Sequence, residues 1–501
     1  MHLLVANKHI GRNTTVVLVP DDAVLQAENT KSAGVLREAG MDEDAGYRLE
    51  QEALVFALLG EFLQGNQSKW SAYLESLPAL ADLDALPAWT PEQRRTLRGT
   101  SAHLEYTRDL VLAPTATLPH RTAKTWRAVS DLARSVARAV LPESECNRLA
   151  DERLYSLYVR CVCLVSAFSF ALGDDHHAMV PAWDLLNHVA GAANVRLHHD
   201  AKRRCLEMIT TRDIGRGEEL INSYGDLSPA ELLRRHGFFD EVACINPRGV
   251  HPHAEARIDA RRVVNLMCRA MAMAGGSRRL THYRVRPGAT GLHLASWRHA
   301  QASRIRSWHT RVRMLVDGQL LPVDGAGIPS AHAHHHHDDH HDQVDGWYVV
   351  DGTGAPPPQL VEAVRVLTLP EREFQAMCLA RDNGVPYAAL PRPDGRKDAA
   401  TLRLASALTL LAEKSARALA DDAVAAPPPE DAQSARRYAM AYALRASERA
   451  CFERMARWCA PNSRAKRTRL QLASFEAWFG SGPGDNEGGE DGSEDGSEGD
   501  E

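Results

Sequence analysis

Residues 179–189 read MVPAWDLLNHV, an apolar stretch that ends in two adjacent polar side chains, Asn187 and His188. The composition of this stretch is typical of a buried segment, and buried polar groups need hydrogen-bond partners. An amide beside an imidazole in such a setting indicates either a turn that satisfies its own polar groups or a pair of side chains that bind a ligand.

The chain has 501 residues, of which 44% are hydrophobic and 25% charged, as is ordinary for a protein with two or three packed domains. Its nine cysteines form no CxxC pair, so we expect free thiols, a reducing compartment and no metal site. No secretory signal is apparent. The most apolar run, 154–172, contains Arg160 and predicts a core helix instead of a membrane span. These features predict a soluble intracellular protein.

Hydrophobic patterns divide the first part of the chain. Two β-branched stretches within 3–19, separated by GRN, predict a short antiparallel strand pair. Helical periodicity over 43–62 and 152–172 predicts two helices, and the segment between them predicts an α-helical insert.

The part of the chain after residue 200 predicts strands at 206–211 and 219–223, followed by a helix in LSPAELLRRHG. Ser228 is a good N-cap with Glu231 in the capping-box position, and Gly237 supplies a left-handed stop. Amphipathic patterns then predict a second, helical domain, with helices at 254–275, 398–420 and 430–459.

Two segments are of low complexity. The His- and Asp-rich tract at 331–346 predicts a flexible loop, although such a tract can chelate zinc or nickel. Residues 481–501 carry nine acidic side chains and no basic one, and such a composition cannot bury enough apolar surface to fold.

Five sequence elements occur in order between residues 167 and 238: AFSF, VPAWDLLNH, GEE, SYG and LLRRHGF. Together they resemble the SET domain of protein lysine N-methyltransferases, within the group of SET domain-containing protein 6, fungal ribosomal lysine methyltransferase 4 and the Rubisco large-subunit methyltransferase. One such element is weak evidence, whereas five in order are specific. The resemblance covers roughly residues 3–475 and excludes the His-rich tract and the acidic tail.

The resemblance implies an α+β fold in four parts. These are a SET-domain β core with a threaded connection at 1–245, a helical insert at about 65–150, an all-helical C-terminal substrate-binding domain at 250–478, and a disordered acidic tail at 479–501. It also implies S-adenosyl-L-methionine as cofactor and a lysine-containing protein segment as substrate.

The resemblance assigns roles to individual positions. Asn187 and His188 would contact S-adenosylmethionine, whereas outside this context they would only satisfy their own hydrogen-bond needs. Phe168 and His236 would line the substrate channel, and a phenylalanine there is also an ordinary core residue. The remaining cofactor-binding positions are Leu4, Val5, Ala6, Tyr224 and Phe238.

Tyr224 is the predicted catalytic residue. An unperturbed lysine has a pKa of about 10.4, so presenting its neutral amine at pH 7 costs about 4.6 kcal/mol. A narrow apolar channel and a neighbouring sulfonium both disfavour the ammonium form, so no dedicated base is required. The Tyr224 hydroxyl would orient the amine; without the family context, a strand tyrosine that packs its ring is the simpler interpretation.

Three positions depart from the family pattern. The family usually has G-x-G before Leu4, and its loss predicts a truncated gene model or weaker cofactor binding. His236 replaces a tyrosine, so we expect activity to gain a pH dependence near about pH 6.5. Pro229 replaces Asn or Asp after Ser228 and suits the first turn of a helix. No post-SET cysteine cluster is found, so structural zinc is not expected.

The sequence therefore predicts a lysine methyltransferase that acts on a ribosomal, chromatin or signalling protein, without direct nucleic-acid or membrane partners. Two alternatives stay open: a protein-histidine methyltransferase, and a non-catalytic binding module, which the missing glycine loop and His236 would suit. The basic cluster at 463–470 fits a nuclear signal or a solvated helix face, so we expect the nucleus, the cytoplasm or both.

Overall fold

A β core, a helical insert and a mainly helical C-terminal region are seen in the computed structural model of the chain. The described residues are 4–41, 47–112, 122–172, 176–244, 249–274, 285–286, 293–294, 303–317, 320–321, 346–382, 399–420, 429 and 431–460. None of the helices in these ranges is long and apolar enough to cross a membrane. The His-rich tract up to residue 345, the basic cluster and the acidic tail lie outside them.

The strands are short and form small sheets. They are β1 (Thr15–Pro20), β2 (Ser169–Leu172), β3 (His176–Met179), β4 (Asn187–His188), β5 (Val195–Asp200), β6 (Cys205–Thr210), β7 (Ile221–Asn222), β8 (Glu255–Asp259), β9 (Val285–Arg286), β10 (His293–Leu294) and β11 (Trp347–Asp351). An antiparallel sheet with the order β1, β6, β5 forms the centre of the β core. β6 is the central strand, with a neighbour on both edges, and all six of its residues are buried.

The two N-terminal stretches do not pair with each other, so the predicted hairpin within 3–19 is wrong. The amide of Ala6 donates to the carbonyl of Glu218, and β1 pairs with β6 instead. The GRN turn is held against the end of β6, because the hydroxyl of Thr210 donates to Gly11 and accepts from the amide of Thr14. Strand propensity showed that these residues are extended but did not identify their partners.

The segment that follows residue 217 lies at the centre of the core. Leu220 pairs with Leu4 on one side, and β7 pairs in parallel with β4 on the other. The predicted strand at 219–223 is therefore regular only over Ile221–Asn222, and the predicted strand at 206–211 is confirmed within one residue as β6.

The helices are α1 (Ala33–Glu38), α2 (Tyr47–Gln64), α3 (Ser71–Ser76), α4 (Pro91–Arg95), α5 (Ser101–Leu112), α6 (Thr122–Val140), α7 (Glu143–Cys146), α8 (Asp151–Phe168), α9 (Pro229–Glu231), α10 (Ala260–Ala274), α11 (Ser303–Asp317), α12 (Pro358–Thr368), α13 (Glu371–Asp382), α14 (Ala399–Ala420) and α15 (Ala432–Cys459). Helices α2, α6 and α8 share the apolar core of the insert. The helix predicted at 152–172 ends at Phe168, where Ser169 turns extended and the chain enters β2.

The helix start and the helix stop predicted in LSPAELLRRHG, after β7, are both confirmed. Ser228 and Glu231 form a capping box at the start of α9, and Gly237 has a φ of 75°. Between them, residues 232–236 form a π-helical turn, a geometry that often marks functional sites. A Cβ on Gly237 would lie 2.5 Å from the backbone of Asp84 and Ala85, so only glycine fits against the insert.

The C-terminal region is mainly helical but not all-helical as predicted. β8 pairs antiparallel with β11, and Ile258 lies opposite Tyr348. The predicted helix at 254–275 therefore begins only at Ala260, because the preceding residues alternate between partly and fully buried as in a strand. The predicted helices at 398–420 and 430–459 are confirmed as α14 and α15.

Helix α15 attaches the C-terminal region to the insert through a buried arginine. Arg437 donates to the carboxylate of Asp84 at 3.0 Å, to the side chain of Gln93 at 2.9 Å and to the carbonyls of Leu83 and Ala88. Because the guanidinium meets so many acceptors, its burial does not leave a charge unpaired.

Candidate active site

Tyr224 lies just after β7, where several segments of the β core meet. Its hydroxyl donates to the carbonyl of Leu186 at 2.6 Å, and its amide donates to Nδ1 of His188 at 3.1 Å. The His188 ring stacks on the Tyr224 ring, with 5.2 Å between the centroids and 25° between the planes. This arrangement follows from the parallel pairing of β4 with β7, which aligns His188 with Asn222.

The hydrogen bond from Tyr224 fixes the proton of His188. Since a backbone amide can only donate, Nδ1 of His188 accepts, and the proton of the neutral ring is on Nε2. Burial lowers the pKa of His188, which favours the neutral form. Nε2 is buried and has no acceptor among the described residues. A buried donor of this kind can serve the acceptor of a ligand.

Two more rings complete an aromatic cluster around Tyr224. The centroids of His236 and Phe238 lie 4.7 Å and 6.3 Å from that of Tyr224. Nδ1 of His236 lies 3.0 Å from the carbonyl oxygen of Ala167, so it carries the proton. Burial lowers the pKa of His236 to about 4. A pKa this low leaves the ring neutral at pH 6.5 and argues against the pH dependence of activity expected from an unperturbed His236, which stays a prediction.

The hydroxyl of Tyr224 is also neutral. Burial, assisted by the charge of Asp184, raises the pKa of Tyr224 to about 12. A phenol in this state does not accept a proton, and its hydrogen is committed to the Leu186 carbonyl. Its oxygen therefore offers lone pairs to an N–H group of a ligand.

Most of the predicted cofactor-binding residues meet around Glu219. Asn187 donates from Nδ2 to the Glu219 carboxylate at 2.6 Å, and Val5 forms a β-bridge with Glu219. Leu4 and Ala6 flank this bridge; Ala6 is buried, whereas 46% of Val5 is exposed. Asn187 and the N-terminal residues thus line one surface, beside the strand that leads to Tyr224.

Phe168 is placed differently. It packs against the apolar core of the helical insert, and no described ring contact joins it to Tyr224. Its neighbour in β2, Phe170, packs edge-on against Trp183 instead. The assignment of Phe168 to a substrate channel stays a prediction.

Several polar residues that support the site were not predicted. Asn194 is fully buried, donates to the carbonyl of Glu219 at 2.8 Å and accepts from the amide of Ile221 at 2.8 Å. Asp240 is buried and accepts from the amide of Ala190. Asn194 stands in apolar surroundings in the sequence, the same signal that identified Asn187, whereas Asp240 is followed by Glu241.

Comparison with known proteins finds similarity over the N-terminal part of the chain. Residues 2–225 match the family model of the SET domain. The human N-lysine methyltransferase SETD6 is 29% identical over 256 residues, which are 47% of this chain and 48% of the relative. The mouse protein of the same name is 30% identical over 250 residues, 47% of each chain. The match spans about half the length of these relatives.

Solved structures extend the likeness of the fold to nearly the whole chain. Rubisco LSMT bound to sinefungin and monomethyllysine aligns with a TM-score of 0.54 at 14% identity, covering 97% of this chain and 90% of that one. Rubisco LSMT bound to AdoMet aligns with a TM-score of 0.53 at 14% identity, covering 95% and 86%. The expected α+β fold is thereby confirmed, and residues 2–225 match the SET-domain model.

Proposed function

We propose that this chain is an S-adenosylmethionine-dependent protein-lysine N-methyltransferase whose substrate is a ribosomal, chromatin or signalling protein of the nucleus or cytoplasm. The observation that carries the proposal is the Tyr224 hydroxyl, oriented by the Leu186 carbonyl inside a cluster of neutral rings. The names of the SETD6 relatives support the same chemistry. The C-terminal region, 250–478, would bind the substrate protein.

The residues around Tyr224 fit the chemistry of S-adenosylmethionine. His188 Nε2 and Asn222 Nδ2 are buried donors without an acceptor among the described residues, and they suit a ligand rich in acceptor atoms. Among the described residues, Glu219 accepts a hydrogen bond from Asn187 and forms no ion pair with a cationic side chain, so its carboxylate suits a positively charged ligand. The ring faces of Tyr224 and Phe238 suit such a ligand as well. When bound, the cofactor would supply a methyl group on a positively charged sulfur. The residues that would hold it are Leu4, Val5, Ala6, Asn187, His188, Tyr224 and Phe238.

The site would bind the target lysine as a neutral amine. Its lone pair is available only after the ammonium loses a proton, which costs about 4.6 kcal/mol at pH 7 for an unperturbed lysine. Burial disfavours the ammonium and reduces this cost. Neither His236, with a pKa of about 4, nor Tyr224, with a pKa of about 12, is suited to remove that proton. The proton would therefore leave to solvent before the amine is enclosed.

Tyr224 would act by orientation. Because its hydrogen is held by the Leu186 carbonyl, its oxygen can accept an N–H of the amine and direct the nitrogen lone pair. Positive charge grows on the amine nitrogen during methylation, so this hydrogen bond becomes stronger in the transition state. His236, whose proton is directed to the Ala167 carbonyl, would line the same channel with the lone pair of Nε2.

Methylation of a cell extract by the purified chain tests the proposal. The chain is incubated with S-adenosylmethionine that carries a labelled methyl group, and modified peptides are identified by mass spectrometry. Label on the ε-amine of lysine is expected. Label only on histidine would contradict lysine specificity, and cofactor binding without any transfer would indicate a binding module.

A further inference from the structure

Helix α3 of the insert contacts the β core through two side chains one helical turn apart. The indole N–H of Trp70, directly before the helix, donates to the carbonyl of Ala23 at 2.8 Å. The hydroxyl of Tyr73 donates to the carboxylate of Asp184 at 2.9 Å. Because residues three apart lie on the same face of a helix, both bonds hold one face of α3 against the β core.

Asp184 lies in the turn that leads to the hydrogen-bond partner of Tyr224. Residues 183–185 form a single tight turn, and the carbonyl of Leu186 directly after it accepts the Tyr224 hydroxyl at 2.6 Å. The side chains of Trp183 and Leu186 are buried in the apolar core beneath this turn. The side chain of Asp184 instead reaches the insert, so this turn joins the insert to the candidate active site.

The turn has weak internal support. Ala182, at its start, has a φ of 70°, in the left-handed region that a residue with a Cβ rarely adopts. The amides of Trp183 and Leu186 donate to the carbonyls of Val180 and Trp183, each at 3.2 Å, the long end of the usual range. A strained backbone persists only where surrounding contacts hold it. The hydrogen bond from α3 is such a contact.

That hydrogen bond has a defined donor and acceptor. Burial, followed by the charge and the hydrogen bond of Asp184, raises the pKa of Tyr73, so its hydroxyl keeps its hydrogen and donates. A hydrogen bond to a charged carboxylate is stronger than one between neutral groups. The insert therefore holds the turn at Asp184, two residues before the carbonyl that accepts from Tyr224.

We propose that Tyr73 is a positioning residue, which holds the turn at 183–185 through Asp184 and thereby places the Leu186 carbonyl that orients the Tyr224 hydroxyl. The insert would then contribute to the site through one hydrogen bond. The structural part of this proposal concerns the Tyr224 hydroxyl, and only its effect on turnover rests on the proposed methyltransferase function.

The environment of the Tyr224 hydroxyl is measured by NMR of protein labelled with ¹³C at the ζ carbon of tyrosine, the carbon that bears the hydroxyl. The Tyr224 signal is assigned by its loss in Tyr224→Phe. Tyr73→Phe should shift this signal by more than its line width. The matched control is Tyr348→Phe, which loses a hydroxyl that donates to the Leu320 carbonyl in the C-terminal region and should leave the signal in place. An unchanged Tyr224 signal in folded Tyr73→Phe would overturn the proposal.

Turnover separates positioning from packing. Tyr73→Phe should lower kcat about tenfold and leave the affinity for S-adenosylhomocysteine within about twofold of the wild type, whereas Tyr348→Phe should lower neither. Asp184→Asn keeps an oxygen that accepts from Tyr73 and should lose less turnover than Asp184→Ala.

A double-mutant cycle tests whether the two residues act through one bond. Tyr73→Phe and Asp184→Ala delete the same hydrogen bond, so the double variant should have about the same kcat as Asp184→Ala alone. Losses that multiply in the double variant would contradict the positioning role, because Tyr73 would then act independently of Asp184.

These outcomes also separate the proposal from the proposed function. If the wild type binds cofactor but transfers no methyl group, the methyltransferase assignment fails, and the NMR measurement still decides the role of Tyr73. If the wild type methylates lysine but Tyr73→Phe keeps both the Tyr224 signal and the kcat of the wild type, only the positioning role fails.

Discussion

Replacing Tyr224 with phenylalanine tests the central feature of the site. The substitution keeps the ring that stacks on His188 and removes the hydroxyl that donates to the Leu186 carbonyl at 2.6 Å. The backbone amide that donates to His188 is unaffected. The variant should therefore fold with the same aromatic cluster and lose one oriented polar group.

Two magnitudes are expected. Loss of the hydrogen bond to the buried Leu186 carbonyl should lower the free energy of unfolding by about 1 kcal/mol. If the Tyr224 oxygen orients the amine as proposed, its loss should lower turnover about 10²-fold, which corresponds to about 2.7 kcal/mol of transition-state stabilisation. Cofactor affinity should change little, because the proposed interaction of the hydroxyl is with the amine.

The assays measure the release of S-adenosylhomocysteine with a verified substrate, cofactor affinity by calorimetry, and stability by urea denaturation. Tyr348→Phe is the matched control, because its hydroxyl donates to the carbonyl of Leu320 at 2.5 Å in the C-terminal region. It should lose stability without losing turnover.

Turnover within about threefold of the wild type in Tyr224→Phe would refute the catalytic assignment and leave this tyrosine as a packing residue. A loss of cofactor affinity as large as that of Asn187→Ala would instead place the hydroxyl in the cofactor pocket.

Four other changes have defined outcomes. Asn187→Ala should weaken S-adenosylmethionine binding in calorimetry before it affects turnover. Gly237→Ala should lower the free energy of unfolding by about 3 kcal/mol, because its Cβ would overlap the backbone of Asp84, whereas Gly40→Ala, with open space, should cost about 1. Burial raises the pKa of Glu448 to about 8, above its ordinary 4.5. The free energy of unfolding of the wild type should therefore fall as pH rises through 8, whereas that of Glu448→Gln should not show this loss. Deleting 481–501 should leave the melting temperature unchanged.

Local chemistry could be predicted from the sequence. The capping box of Ser228 and Glu231 and the left-handed Gly237 depend on residues close in the chain, and all three are confirmed. The strand at 255–259 also had a visible signal, since EARID alternates polar and apolar residues, but it was interpreted as the start of a helix.

Pairing between distant segments could not be predicted in this way. The N-terminal stretch Leu4–Ala6 is extended in any pairing, and only the folded core shows that it lies beside Glu219. The contact between Tyr224 and His188 depends on parallel pairing of strands separated by a hairpin, and the resemblance to SET domains, not the periodicity, assigned both residues to the cofactor site. The lowered pKa of His236 could not be predicted either, because it is set by burial, and composition does not reveal burial.

Charged pairs in the interior fix how the C-terminal region meets the site. Glu105 of α5 contacts Arg234, in the π-helical turn, at 2.7 Å and also pairs with Arg257 of β8. Removing one member of such a buried set typically costs about 3–5 kcal/mol, because the remaining charge has no water to replace its partner. Apolar contacts tolerate small displacements, whereas these pairs require a defined separation. The orientation they impose on β8 is the one in which His251, six residues before Arg257, faces Asp240.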